Sequence, residues 1–231
     1  MKRPVVILLG PSREAVSGVS THLNLLLASA TLAGGFSLAH FQVGSEGRAE
    51  PSGARWLRLA ASPLRLAAET LRRGAAVVHV NTSLDRRAYW RDLAYVAVAK
   101  LCGAHVVYQV HGGALPADFF ASRVLTAWLR ATLAWPDVVV VVASIEAQAY
   151  RAFVPRQSVA LVPNGIDCDA GADPERGRAA QAARLSLLYI GRLIGTKGLC
   201  ESLEALAAAE ENARSGNRMK SYPSFSRDQQ L

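Results

Sequence analysis

The strongest constraint on this chain is an alternation, from its first residues, of short β-branched runs with longer stretches of helical spacing. Val5–Leu9 is an apolar run closed by Gly10, the pattern of a strand buried on both faces. Gly18–Ala33 places Leu23, Leu26, Leu27 and Ala30 on one helical face, with Gly34-Gly35 ending it. Ser37–Val43, Val77–Val80, His105–Val110, Val138–Val142 and Val159–Val162 continue the strands. Arg55–Arg73 (interrupted at Pro63), Asp85–Leu101, Phe119–Ala134 and Ser144–Phe153 supply the helical stretches between them. This order predicts an α/β chain whose parallel sheet is covered on both faces, a doubly wound, Rossmann-like domain, with Val138–Val142 central in it.

The texture changes after Asn164-Gly165. Asp167–Ala183 is rich in Gly, Ala, Asp, Arg and Pro and reads as a linker. A new β–α unit follows, with a strand at Leu185–Ile190, a basic turn and a helix at Gly198–Ala209. The expected organisation is a first domain over 1–166, a linker over 167–183, the start of a second domain over 184–210, and an aberrant or disordered tail over 211–231. One β–α unit cannot bury its own edges, so the second domain is expected to be truncated.

Composition narrows the function classes. No apolar run, Val138–Ala143 included, approaches the roughly 20 residues of a spanning helix. Lys2 and Arg3 precede Val5–Leu9, but Pro11, Arg13 and Glu14 follow too soon for a leader, so a buried first strand is expected. Cys102, Cys168 and Cys200 are odd in number and lack CxxC spacing, which suggests a reducing cytoplasm and no metal site. A net charge of +8 fits either an anionic partner or a solvated surface. The basic residues are not interleaved with aromatics in a nucleic-acid module, so no nucleic acid is expected.

Three places could carry chemistry. The loop from Gly10 into Ser17-Gly18-Val19-Ser20 leads to a helix N-terminus, a seat for phosphate or a plain βα turn; it matches neither GxGxxG nor the P-loop. His111-Gly112-Gly113 ends a strand where open sheets bind ligands; the histidine is either a ligand contact or a loop cap. His22 and His79 read as structural. Arg192 and Lys197 flank a turn between strand and helix, where they can converge on a diphosphate or only solvate the surface.

Taken in order, Ser17-Gly18-Val19-Ser20-Thr21-His22, His111-Gly112-Gly113, Val162-Pro163-Asn164-Gly165-Ile166-Asp167 and Tyr189-Ile190-Gly191-Arg192-Leu193 with Lys197-Gly198 resemble the family 4 retaining glycosyltransferases. The resemblance covers about residues 4 to 209. It implies a GT-B architecture, two Rossmann-like domains facing across a cleft, with the acceptor on the first and the nucleotide-sugar on the second. It implies a retaining hexosyltransferase that moves a sugar from UDP- or GDP-sugar to a saccharide or polyprenyl-linked acceptor, with no cofactor or metal. Gly18 would offer its backbone N–H to the donor phosphates, His111 would contact the transferred sugar as the catalytic position, and Arg192 and Lys197 would hold the diphosphate. The family's later pair of glutamates has no counterpart, so this chain alone is expected to be inactive. The other reading is a non-catalytic module that binds an acceptor or, through the arginine-rich Arg55–Arg73, touches an anionic membrane at the inner face of the plasma membrane.

Overall fold

The computed structural model describes residues 3–44, 51–165, 188–189 and 198–214. The chain divides into two compact units, Met1–Ile166 and Asp167–Leu231. In the first unit the elements run β1 (Val5–Gly10), α1 (Gly18–Ala28), α2 (Ala30–Gly35), β2 (Ser37–Gln42), α3 (Ser52–Arg73), β3 (Ala75–Leu84), α4 (Arg86–Leu101), β4 (His105–Gly113), α5 (Arg123–Thr132), β5 (Val138–Val141), α6 (Ser144–Phe153) and β6 (Val159–Leu161). The second unit contributes α7 (Leu199–Arg214), which extends past the Ala209 end that the sequence pattern gives. The proposed linker 167–183 lies outside the described residues, as do Arg192, Lys197 and the chain after 214; of the strand expected at Leu185–Ile190 only Leu188 and Tyr189 are described, and neither is in regular structure.

All strand pairs are parallel and the sheet order is β2-β1-β3-β4-β5-β6. The chain therefore leaves β1 for β2 on one side and later returns to β3 on the other. That reversal makes a topological switch point between β1 and β3, where ligands of open sheets bind. Run β5 is second from an edge rather than central. Its side chains Val139 and Val141 are nonetheless buried, since β6 covers its outer edge and α6 its face.

Alternation along the strands gives the sheet two unlike faces. Ile7 and Leu9, Val78 and Val80, Val106, Tyr108 and Val110, and Val139 and Val141 join one large core with Leu66 of α3, Tyr95 of α4, Leu129 of α5 and Tyr150 of α6. The opposite face holds only a small apolar cluster, Val6, Leu8 and Leu23, with α1. Beyond Val77 and Val107, the inward positions that follow on this face, His79 and Asn81 of β3 and Gln109 and His111 of β4, are polar.

Four helix and strand limits differ from the sequence pattern for identifiable reasons. The helix expected over Gly18–Ala33 breaks at Ser29, which takes ψ 113° and accepts the Leu32 N–H at 3.3 Å on its hydroxyl, competing with the helical ladder. Helix α3 runs straight through Pro63, held by burial of Ser62, Leu66 and Thr70 and by the Tyr95 hydroxyl donating to Ser62 Oγ at 2.8 Å. Strand β3 extends to Leu84 because Asn81 and Thr82 are buried as strand residues despite their polarity. Phe119 and Phe120 lie ahead of α5, packed into the core against Tyr89 at 5.5 and 5.7 Å between ring centroids.

The end of β4 depends on two glycines. Gly112 and Gly113 have φ of 110° and 113°, a region L side chains avoid. A Cβ on Gly112 meets open space, whereas one on Gly113 runs into the Leu84 backbone, where Ala114 N–H donates to the Leu84 carbonyl at 3.0 Å. Gly112→Ala is expected to cost ~1–3 kcal/mol from backbone strain. Gly113→Ala adds a backbone collision and is expected to cost roughly 2 kcal/mol more. Urea denaturation of the two variants checks this order; equal losses would contradict it.

Candidate active site

The polar positions of β3 and β4 meet α1 at the switch point. Asn81, on β3, donates its amide Nδ2 to the Leu9 carbonyl of β1 at 3.1 Å, with the His79 carbonyl at 3.5 Å. Two carbonyl oxygens thus fix which side of the amide is nitrogen. Asn81 Oδ1 then faces His111 Nε2 of β4 at 3.2 Å. An amide oxygen only accepts, so His111 carries its proton on Nε2 and its Nδ1 is a lone pair. Two residues earlier on each strand, His79 Nε2 lies 2.9 Å from Gln109 Oε1.

Helix α1 closes this row. Ser17 caps it, accepting the Ser20 N–H on its hydroxyl at 3.2 Å, and Ser20 Oγ donates to the Ser12 carbonyl at 2.6 Å, drawing the loop onto the helix. Asn24 Nδ2 donates to the Arg13 carbonyl at 2.8 Å, pinning the loop a second time. Gly18 and Val19 sit in the first turn, where backbone N–H groups have no acceptor within a helix. Gly18 is exposed and a Cβ there would meet nothing within 4 Å, so packing does not require the glycine. One turn on, the His22 ring stands edge-on to His111 with centroids 4.7 Å apart.

The sequence pattern singled out Gly18 and His111 and set His22 and His79 aside. The structure gathers His22, His79, Asn81, Gln109 and His111 in one cluster. Their signal in the sequence was period-2 polarity, Val78-His79-Val80-Asn81 and Tyr108-Gln109-Val110-His111, which marks one sheet face as polar inside two buried strands. Arg192 and Lys197 cannot be placed against this cluster, since both are outside the described residues.

Burial sets the protonation of the cluster. Burial lowers His79 to about 4, with His22 and His111 nearby adding to the shift and the Gln109 hydrogen bond opposing it. Burial likewise lowers His111 to about 4, reinforced by His22 and opposed by Asn164. His22 is lowered by burial against an opposing contribution from Gln109. All three rings are therefore neutral at pH 7. His22 Nε2, Gln109 Nε2 and His111 Nδ1 are shielded and make no well-formed hydrogen bond, and each such group costs about 1–3 kcal/mol. Among the described residues no three His, Cys, Asp or Glu side chains are gathered as a metal site.

Beside the cluster a cavity of about 180 Å³ opens at the strand ends, lined by Val19, Gly44, Asn81, Ser83, Asp85 and Arg91 among others. Arg91 Nε donates to Asp92 Oδ1 at 2.7 Å, and Asp92 also accepts from the Thr82 hydroxyl. Burial pushes the Asp92 carboxyl up, and Arg91 and Thr82 oppose it. The pair holds a guanidinium at the cavity wall. Asp85 caps α4 through the Arg87 and Ala88 N–H groups at 3.0 and 2.9 Å.

An all-parallel six-stranded sheet with this order defines a Rossmann-like unit. The fold matches sucrose-phosphate synthase from Thermosynechococcus elongatus with a TM-score of 0.62 at 16% identity, over 89% of this chain and 60% of that one. This is the fold of GT-B glycosyltransferases over part of their length. Residues 29–170 match the model of Glycosyltransferase Family 4, and the chain belongs to that family. It is also 31% identical over 143 residues, 59% of its length, to a GDP-mannose:cellobiosyl-diphosphopolyprenol alpha-mannosyltransferase of Xanthomonas campestris. It spans about a third of that relative, 34% of its length. No helix among the described residues is long and apolar enough to cross a membrane.

The depressed histidines fix the sign of one pH dependence. An unfolded histidine takes up its proton near 6.5, whereas folded His79 and His111 do so only near 4. Between these values protons favour the unfolded chain, so stability falls as pH falls from about 6.5 towards 4. Urea unfolding across this window checks it, and the fall should be shallower in His79→Gln. An identical slope in that variant would contradict the assignment.

Proposed function

We propose that this chain takes part in retaining transfer of a hexose from a nucleotide-sugar to a saccharide or polyprenyl-linked acceptor, with its first unit forming the acceptor side of the site. The observation that carries this reading is His111, held neutral by burial and by nearby His22, with its Nε2–H on Asn81 Oδ1 at the open end of β4. Family membership supplies the reaction class. GDP-mannose is the donor to test first, because the relative from Xanthomonas campestris is described as using it on a diphosphopolyprenol acceptor.

The roles follow from what each group can do. With Nε2–H committed to Asn81 and a pKa near 4, His111 is a poor proton donor at pH 7. Its part is to orient the transferred sugar against the acceptor, a matter of positioning rather than acid catalysis. The Gly18 amide, at the positive end of α1, offers a hydrogen bond to a donor phosphate. Arg192 and Lys197 neutralise the departing diphosphate, a bidentate fork and a point charge acting where negative charge develops. The cavity at Ser83, Asp85 and Arg91 receives the acceptor, with Asp85 and Ser83 suited to sugar hydroxyls and Arg91 to an acceptor phosphate.

The test compares GDP-mannose with GDP on histidine-labelled protein by NMR. GDP-mannose should move the His111 and His22 ring signals by a mannose-dependent amount that GDP does not produce. His111→Ala should weaken GDP-mannose binding at least tenfold with an unchanged circular dichroism spectrum. Equal responses to the two ligands, or unaltered affinity in the variant, would contradict the role of His111. Any hexose transferred should keep its anomeric configuration.

A further inference from the structure

The start of helix α4 breaks two local rules in the same direction. Cations are unfavourable at the positive, N-terminal end of a helix. Arg86 and Arg87 nevertheless take its first two positions, and no acidic residue lies in its first turn. Arg87 and Arg91 are four residues apart, so like charges share one face with Cβ atoms roughly 6 Å apart. Among the described residues neither Arg86 nor Arg87 forms an ion pair. Departures of this kind are expected at functional or strained sites.

Arg91 is fixed in an unusual way. Consecutive helix residues point about 100° apart and do not ordinarily meet. Arg91 Nε nonetheless donates to Asp92 Oδ1 at 2.7 Å, and buried Asp92 also accepts the Thr82 hydroxyl of β3. The guanidinium lies against Gly44 as well, where a Cβ would stand 3.2 Å from Nη1. No other hydrogen bond to it is formed among the described residues, so the donors of Nη1 and Nη2 are unspent. Exchanging a buried ion pair for apolar residues of similar volume is often neutral or stabilising. Stability therefore does not account for Asp92; what its carboxyl group supplies is a fixed direction for the guanidinium.

Arg91 belongs to the wall of the 180 Å³ cavity at the strand ends, with Asn81, Thr82 and Ser83. That volume is below the roughly 300–1,000 Å³ of pockets that enclose a whole ligand, and it suits one small group. Asp85 lines the cavity too, but its Oδ1 accepts the Arg87 and Ala88 N–H groups, so the helix end is already capped. What remains for a ligand is the pair of arginines. A neutral saccharide leaves their like charges unrelieved, whereas a phosphate accepts from a guanidinium fork and offsets both.

We propose that Arg87 and Arg91 hold a phosphate group carried by the acceptor, and that Asp92, joined to Thr82, is the positioning residue that aims Arg91 at it. The substrate class is then a phosphorylated acceptor, a lipid diphosphate or a sugar phosphate, and not a neutral saccharide. This inference rests on the reading of the cavity as the acceptor side of the site.

Titration calorimetry of the full chain without donor tests this, with glucose, glucose 1-phosphate and farnesyl diphosphate as probes. Both phosphates should bind roughly tenfold or more tightly than glucose, and less tightly as salt rises. The tighter of the two tells a sugar phosphate from a lipid diphosphate. Arg87→Gln and Arg91→Lys should each weaken phosphate binding about tenfold. Arg151→Gln, the same charge change in the last turn of α6, should bind as the parent does. Asp92 separates positioning from charge. A carboxylate acting only through its charge repels phosphate, so its removal would tighten binding. A positioning carboxylate requires the reverse: Asp92→Ala should bind about tenfold more weakly, and Asp92→Asn, which keeps an oxygen for Nε, should bind like the parent. If Asp92→Ala loses its thermal unfolding transition, Thr82→Val replaces it and should also bind phosphate more weakly. Equal binding of glucose and its phosphate, arginine variants that bind like the parent, or tighter binding on loss of the Asp92 or Thr82 side chain would overturn the proposal. Displacement of the bound phosphate by GDP-mannose would instead overturn the acceptor reading of the cavity and leave the anion site standing.

Discussion

One buried amide ties the site together. Asn81 sits on β3, gives its N–H to a carbonyl of β1 and takes a hydrogen bond from His111 of β4. Each of those strands is parallel to its neighbour, and β1 and β3 meet where the chain reverses its direction across the sheet. A buried amide must satisfy its donor and acceptor separately. Here the donor is spent on backbone that cannot rotate away, so the acceptor is left facing a ring it can only receive from. The protonated edge of His111 is thus set by the register of the sheet, before any ligand arrives.

The sheet can hold this polar cluster because its other face does the stabilising. Ile7, Val78, Val80, Val106 and Tyr108 face helices α3 to α6 in one continuous core. Burial of that kind contributes about 25 cal/mol per Å² of apolar surface, enough to offset a few unsatisfied polar atoms on the opposite side. The Arg91–Asp92 pair extends the polar arrangement outward: a fully buried carboxyl group anchors a guanidinium at the cavity wall. Stability and chemistry are therefore divided between the two faces of one sheet, and a parallel strand serves both through its two-residue alternation.

Much of the fold was legible in one dimension. The β-branched runs at Val5–Leu9 and Val138–Val142 and the glycine pair after His111 mark strands and their ends directly. The site was legible only in part. His111 drew notice because open sheets bind ligands beyond their strand ends, although a loop cap was an equal use for it; His22, Asn81 and Gln109 did not stand out. Asn81 opposes Gln109 across the β3–β4 pairing, and that register is a property of two strands together. His22 reaches the cluster because α1 packs Leu23 onto Val6 and Leu8, which turns the neighbouring residue toward β4. Judged singly, each looked like an ordinary core or helix residue. The break at Ser29 escaped for a related reason: a serine hydroxyl competes with the helical ladder only when the next turn offers it an N–H.

The claim that the sheet presets His111 can be measured without substrate. A long-range ¹⁵N–¹H correlation spectrum of histidine-labelled protein near pH 7 reports which ring nitrogen bears the proton. The account predicts a neutral His111 with Nε2 protonated and Nδ1 bare, and loss of that single tautomer in Asn81→Ala. A charged ring, an Nδ1–H tautomer, or a spectrum indifferent to Asn81 would contradict it.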